Sequence, residues 1–518
     1  MVDPSRTEPS VAAAHGLLEL VGDLGSPYIN CDIAPTRIAE RTWTMKDVAT
    51  LWFSLSACVP TYMLASGLIA SGMSAWQALL IIVLGNTIVL VPMILNGHAG
   101  TRYGIPFPVY CRTAFGIRGA NIPALLRSLV ACGWFGIQTW IGGAAIYQIA
   151  ALYVPGWRTA PSLWLGMSRP QLLCFLLFWG ISVGTVYRGI GTIRGLIRFK
   201  APLLSALALL LLAWAWLRAG GFGPILARPS AFAPGQPRQG QFLAFFAPAL
   251  TAMVSGWATL SLNISDFTRY VRSQRDHALG HTLGLPLAMG AFSFVGIAVT
   301  SASAVVYGEA VWDPVALIAR FQNPAVVVVG LAGISLATLG TNIAANLVST
   351  ANDLANLWPA RISFRRGGVI AGMLGMLVQP WRLVADPSGF LFTWLVGCSA
   401  LCGAVGGVLI CDYYLVRHRQ LDLIKLYMRP GPYWYAGGYN PIALVALAAG
   451  IAPCLPGFLA TLHLWKGSAG WLRLYHYAWF ISFAVSFAAY ALLTHATHGR
   501  SAPCPHDSQV RAHEPPHP

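Results

Sequence analysis

Long runs without a charged side chain alternate with short polar stretches along the 518-residue chain. Between Asp47 and Arg102 no Asp, Glu, Lys or Arg occurs. A helix crosses the bilayer core in about 20 apolar residues, so this run holds two crossings. Gly72, Met73 and Ser74 form the natural turn between them. Further stretches of crossing length fall at 121–153, 170–187, 199–217, 242–262, 280–307, 323–352, 367–384, 387–412, 440–465 and 471–494. With the first pair they predict twelve spans, and the chain reads as an all-α polytopic membrane protein.

Composition supports that reading, since 56% of residues are hydrophobic and 10% charged. A soluble chain carries about 25% charged residues, so soluble enzymes, disordered proteins and collagen-like fibres are excluded. The net charge of +16 comes from Lys and Arg placed singly or in small groups between apolar runs. That placement points to no nucleic-acid partner but records orientation. With the N-terminus inside, the internal loops carry 17 Lys and Arg, the external loops 9 and the two tails six. Both termini are therefore expected in the cytoplasm, with the protein in the cell (inner or plasma) membrane. Residues 1–46 carry no apolar stretch of signal-peptide type. Residues 1–29 and 495–518 read as disordered. The lipid bilayer is the one obligate surrounding, and no obligate protein partner is evident. Cys398 and Cys402 share a helical face but lack a second Cys or His pair, so no structural metal is expected. Trp157, Trp164, Trp465 and Trp471 fall near predicted interfaces, as belt residues do, and His98 falls at the end of span two.

Two spans carry signs of a break. Span one reads LWFSLSACVPTYMLASGL, where small residues precede Pro60. Span six reads FFAPALTAMVSGWATLSLN, with Pro248 near its start and Ser255-Gly256 near its middle. Irregular backbone at membrane depth is tolerated only inside protein or beside a cavity. Two interrupted helices five spans apart suggest an inverted repeat of five plus five spans, with a binding site at the paired breaks.

Asp and Glu are absent from the middle of the spans, and Asp266, Asp353 and Asp412 lie at span ends with expected access to water. The spans hold neutral chemistry beside indoles instead. Trp134 and Gln138 in span three are one turn apart, and so are Asn342 and Asn346 in span eight. Carboxamides both donate and accept, which complements a flat heterocycle with N–H and C=O groups. Trp257, beside Gly256, supplies a second indole that closes a sandwich. The expected substrate-binding set is Trp134, Gln138, Gly256, Trp257, Asn342 and Asn346.

At these residues the sequence resembles the nucleobase:cation symporter-1 family, nearest its bacterial allantoin permease and hydantoin transporter branch. The stretches that carry the resemblance are NCDIAPTRIAERTW from Asn30, LNGHAGTRYGIPFPV, GANIPALLRSLVACGWFGIQTW, LNISDFTRY, GTNIAANLVS and DYYLVRHR from Asp412. The resemblance implies a leucine-transporter-type five-plus-five inverted repeat, with helices one and six interrupted and alternating access. It also implies a ring held between Trp134 and Trp257. For a coupling cation it implies Ser54, Ala57, Ala337, Gly340 and Thr341. The sodium-dependent hydantoin branch carries a serine where this chain has Gly340, which removes one hydroxyl ligand. Cys58 stands where the hydantoin branch has an amide, so the ring preferred differs.

The implied organisation is a tail (1–46), a first repeat (47–218), an external loop (219–241), a second repeat (242–416), a cytoplasmic loop (417–439), two further helices (440–494) and a tail (495–518). The expected activity is secondary active import of a nucleobase or planar ureide (allantoin, uracil, cytosine or hydantoin type), with sodium or a proton as coupling ion and no cofactor. An uncoupled facilitator is the alternative. A membrane enzyme would need a nucleophile–base pair or a metal cluster at membrane depth, and a channel a continuous polar stripe. The spans offer neither, so no enzyme is expected.

Overall fold

Ala57 and Cys58 leave helical geometry, Cys58 in an extended conformation with φ −151° and ψ 156°, and a new helix starts with Pro60 in its first turn. A proline there loses no hydrogen bond, since the first N–H groups of a helix are unpaired anyway. The computed structural model describes residues 9–31, 33–163, 166–188, 190–357 and 361–498, without the side chains of 190–201, 352, 355, 356 and 498. The first span is thus two helices, α1 (Met45–Ser56) and α2 (Val59–Ala70), bent by 62° at the break.

Spans two to five are α3 (Ala75–Tyr103), α5 (Asn121–Tyr153), α6 (Arg169–Arg188) and α7 (Ile190–Arg218), with the short α4 (Phe107–Phe115) after α3. A small helix α8 (Phe222–Leu226) follows α7. The second half holds α9 (Phe242–Asn263), α10 (Ser265–Thr268), α11 (Gln274–Tyr307), α12 (Pro314–Ile318) and α13 (Pro324–Thr341). A π-helical stretch, Asn342–Leu347, joins α13 to α14 (Val348–Leu357). Then come α15 (Phe364–Leu377) and α16 (Pro380–Leu383), and α17 (Val396–Ile410), which is flanked by π-helical Gly389–Leu395 and Cys411–Val416. The chain closes with α18 (Pro441–Ile451), α19 (Leu455–Thr461), α20 (Ala469–His476) and α21 (Ala478–His498). Among the described residues nine helices are long and apolar enough to cross a membrane, and the bent α1–α2 pair makes ten. The remaining two expected spans correspond to α7 and to α15, which at 14 residues is the shortest.

The interruption expected in span six is absent, because α9 is one continuous helix from Phe242 to Asn263. Pro248 lies only six residues from its start, and at the middle Ser255 Oγ donates to the Leu395 carbonyl at 2.5 Å. Gly256 packs towards Leu64 on α2, so tertiary contacts hold the helix through its weakest residues. The twelfth span starts later than expected, at Ala478, since α20 forms separately.

The N-terminal segment is not structureless either. Ser10–Ala14 and Leu17–Val21 form an antiparallel hairpin, β1 and β2, across a His15-Gly16 turn with both φ positive. That is the two-residue hairpin turn whose twist matches paired strands. Arg41 fixes this segment to the helices. Its guanidinium donates to the carbonyls of Thr36, Leu18, Thr101 and Arg102, the last two at the C-terminal end of α3. Burial pushes its pKa down to about 10, and it stays charged. Arg41→Met is expected to leave those buried carbonyls unpaired and to cost about 3 kcal/mol, read as a lower unfolding midpoint in detergent. The expected disorder at the other end fails for 495–498, which continue α21, and 499–518 and Trp164 lie outside the described residues.

Two of the carboxylates assigned to water at the span ends are enclosed instead. Asp412 is fully buried, held by Arg417 Nε at 2.8 Å and Tyr490 Oη at 2.8 Å. Asp353 pairs with Arg127 and accepts from Ser128 Oγ at 2.7 Å. The loop segments fold back over the span ends: Arg417 also donates to Thr113 on α4 at 2.8 Å. His98, expected at an interface, is half-buried with Nδ1 2.9 Å from Tyr413 Oη.

Candidate functional site

Residues on both sides of the α1–α2 break, among them Ser54, Cys58 and Thr61, line a cavity of about 640 Å³. α5 contributes Trp134 and Gln138, α9 contributes Gly256 and Trp257, and α13 with the π stretch contributes Gly340, Thr341 and Asn346. Trp134 is 8% exposed and Trp257 half-buried, so both indoles face the protein interior rather than lipid.

Trp134 is held edge-on by Phe390 at 6.1 Å and by Trp394 at 6.0 Å between ring centroids. Trp394 can lie there because residue 133 is glycine: a Cβ would fall 1.9 Å from Trp394 Cη2. Trp257 meets Trp52 edge-on at 5.2 Å. Two polar atoms of the wall, Gln138 Oε1 and Trp257 Nε1, are buried with no hydrogen-bond partner among the described residues. Asn346 Nδ2 donates one hydrogen to Asn342 Oδ1 at 3.0 Å, which turns its own carbonyl oxygen to other partners. The wall therefore offers an unspent donor and unspent acceptors in a site with few charges, and burying such groups unpaired is costly.

Asn342, expected beside Asn346, does not line the cavity. It is fully buried, and its Nδ2 donates to the Phe135 carbonyl and to Thr139 Oγ1, both at 3.1 Å. The one-turn spacing does put both amides on one face, but α5 crosses that face at Asn342 and covers it. Its place is behind Asn346, orienting that amide.

Of the residues expected around a cation, Ser54, Gly340 and Thr341 line the cavity, whereas Ala57 and Ala337 pack with Leu204 in a small apolar cluster. Thr341 Oγ1 donates to the Ala337 carbonyl at 3.1 Å. The one hydroxyl among the expected α13 ligands, that of Thr341, is thus turned onto the very carbonyl that would have to face a cation. Gly340 adds no ligand. A hard cation prefers several oxygens, and this donor set fits sodium poorly.

Charges missed in the sequence stand at one end of the cavity: the Arg127–Asp353 pair, Asp266 and Arg269. Asp266 accepts from Phe107 N at 2.7 Å and Asn263 Nδ2 at 3.2 Å. A lone Arg inside span three and an Asp just after span eight were the available signal, because a charge inside a span must find an opposite partner. The same end reaches the exposed Cys31, next to the N-terminal segment.

A bent first helix and an indole-walled cavity among apolar helices, whose charged lining among the described residues is Arg127, Asp266, Arg269 and Asp353, point to a helical membrane transporter. The comparisons with known proteins agree. Residues 35–482 match the family model described as permease for cytosine/purines, uracil, thiamine, allantoin. The chain is similar to the purine-uracil permease of Arabidopsis thaliana, 44% identical over 90% of this chain and 77% of that protein. It is similar to the allantoin permease of Bacillus subtilis, 38% identical over 90% of this chain and 92% of that protein. Among solved structures it is similar to Mhp1, a nucleobase-cation-symport-1 family transporter in a closed conformation with bromovinylhydantoin bound. That likeness has a TM-score of 0.71 and 27% identity, over 91% of this chain and 96% of the other. The chain belongs to this permease family: it is an integral membrane secondary transporter of the Mhp1 fold, not an enzyme.

Proposed function

We propose that the protein imports a neutral, planar heterocycle bearing N–H and C=O groups, a nucleobase or ureide such as uracil or allantoin, by cation symport. The observation that carries this is the pair of unspent groups in the cavity wall, Gln138 Oε1 and Trp257 Nε1, beside the Asn346 amide. A ring held against Trp134 and Trp257 would satisfy them, and a ring lacking those groups would leave them unpaired. The two repeats, 47–218 and 242–416, would rock around the site. Both termini are cytoplasmic in this reading, and the cavity opens inward past Cys31.

A thermal-shift screen of uracil, cytosine, purines, allantoin and hydantoin tests the substrate class. Stabilisation by none of them overturns it. Gln138→Leu is expected to weaken the best ligand by about tenfold to a hundredfold, through the lost carboxamide. For orientation, an impermeant maleimide should label Cys31 in inside-out vesicles of a Cys504→Ser variant and not in right-side-out vesicles. Gly340→Ser is expected to raise the sodium dependence of uptake by restoring a hydroxyl; no change would mean that sodium does not bind there.

A further inference from the structure

Behind Trp257, away from the cavity, two histidines of α11 form a buried pair that the substrate site does not use. His277 is 1% exposed and His281 0%, with ring centroids 4.8 Å apart at 78°. Glycines open the slots of His277 and of the indole that meets His281: a Cβ at Gly97 would fall 2.3 Å from His277 Cε1, and one at Gly284 would fall 2.9 Å from Trp52 Cδ1.

The neighbours fix where the ring hydrogens are. Trp52 Nε1 lies 2.6 Å from His281 Nδ1. An indole N–H only donates, so Nδ1 accepts and the hydrogen of a neutral His281 sits on Nε2. His277 Nε2 lies 3.0 Å from the Ile94 carbonyl, which only accepts, so His277 carries its hydrogen on Nε2 and a bare lone pair on Nδ1. Both remaining nitrogens, His281 Nε2 and His277 Nδ1, are buried with no partner among the described residues. Packing alone does not ask for an unspent imidazole donor and an unspent imidazole lone pair side by side.

We propose that His277 and His281 form a proton-binding pair that takes one proton at His277 Nδ1 and, through Trp52, links that proton to the placement of Trp257. This rests on the reading of the chain as a cation-coupled importer. Hydronium gives its proton to the lone pair and leaves as water; on release the same N–H bond breaks and the proton returns to water. The imidazolium then has a new N–H that needs an acceptor. His281 Nε2 becomes that acceptor only when its hydrogen moves to Nδ1, and Nδ1 is occupied until Trp52 Nε1 lets go. Trp52 meets Trp257 edge-on, and Trp257 lines the cavity. Proton uptake and the indole at the substrate site are thereby two readings of one contact chain.

Among the described residues, α3 turns His98 towards the pair, with Arg102 one turn further, and α1 brings the indole of Trp52. α10 brings the uncharged Thr268. On the pair's own helix Asp276 is held by Arg272 and by Met45 N.

The test uses purified full-length protein. Tryptophan fluorescence of the wild type between pH about 3 and 8 is expected to show a transition, a range wide enough to include buried imidazoles. His277→Gln should abolish it. In proteoliposomes without sodium, an acid-outside gradient should stimulate uptake of radiolabelled uracil or allantoin by about tenfold, an ordinary coupling factor. His277→Gln and Trp52→Phe should each bring that ratio close to one. Trp52→Phe alters no imidazole, so it keeps the test open if His277→Gln fails to fold. A wild type with no fluorescence transition, a transition that survives in both His277→Gln and His281→Gln, or full stimulation in Trp52→Phe would each overturn the proposal. If neither heterocycle is taken up while the transition is present and lost in His277→Gln, the proton pair stands and the substrate reading falls.

Discussion

Trp134→Ala is expected to weaken binding of the transported heterocycle by about tenfold to a hundredfold, because one stacked ring contributes about 1–3 kcal/mol. The effect should fall towards the upper end. Trp134 also carries the edges of Phe390 and Trp394, and removing it loosens both. Trp134→Phe separates the two contributions: it keeps an aromatic face and should recover most of the affinity. Trp257→Ala should match the alanine loss at Trp134, since a sandwich fails from either side. Isothermal titration of purified protein with the best ligand of the thermal-shift screen measures all three. Wild-type affinity in both alanine variants would place the substrate elsewhere.

How far the sequence could reach follows from what each signal encodes. The break at Ala57-Cys58 was legible because Pro60 removes a donor and short side chains before it leave the backbone free to turn. Pro248 and Gly256 look similar on paper, yet α9 continues, since the Ser255–Leu395 hydrogen bond and the Leu64 contact come from residues far along the chain. The indoles and amides were recognisable by spacing, which gives the face of a helix and not its neighbour. For that reason Asn346 lines the cavity as expected while Asn342 is spent on α5. The hairpin at 10–21 was hidden by polar flanks, although His15-Gly16 between apolar runs is a turn signal. Asp412 and Asp353 were placed in water because span ends normally meet it. Here α4 and the segment after the last π stretch cover those ends, and the ring nitrogens of His277 and His281 depend on partners on α1 and α3.

Breaking the Arg127–Asp353 pair should be the most destabilising change near the cavity. The two side chains are 3% and 9% exposed, and they tie α5 to α14 together with Ser128. Removing one partner strands a buried charge, which costs about 3–5 kcal/mol, so Arg127→Met and Asp353→Asn should each lower the unfolding midpoint sharply. The double variant Arg127→Met with Asp353→Leu strands neither charge of the pair, only the Ser128 hydroxyl, and should regain much of that stability. Its transport then reports what the pair does for function. If the charges only fasten the two helices, uptake in the double variant should follow its stability. If they also hold that end of the cavity during transport, uptake should stay low although the protein is stable. Equal destabilisation in the single and double variants would mean that the pair acts through packing rather than charge.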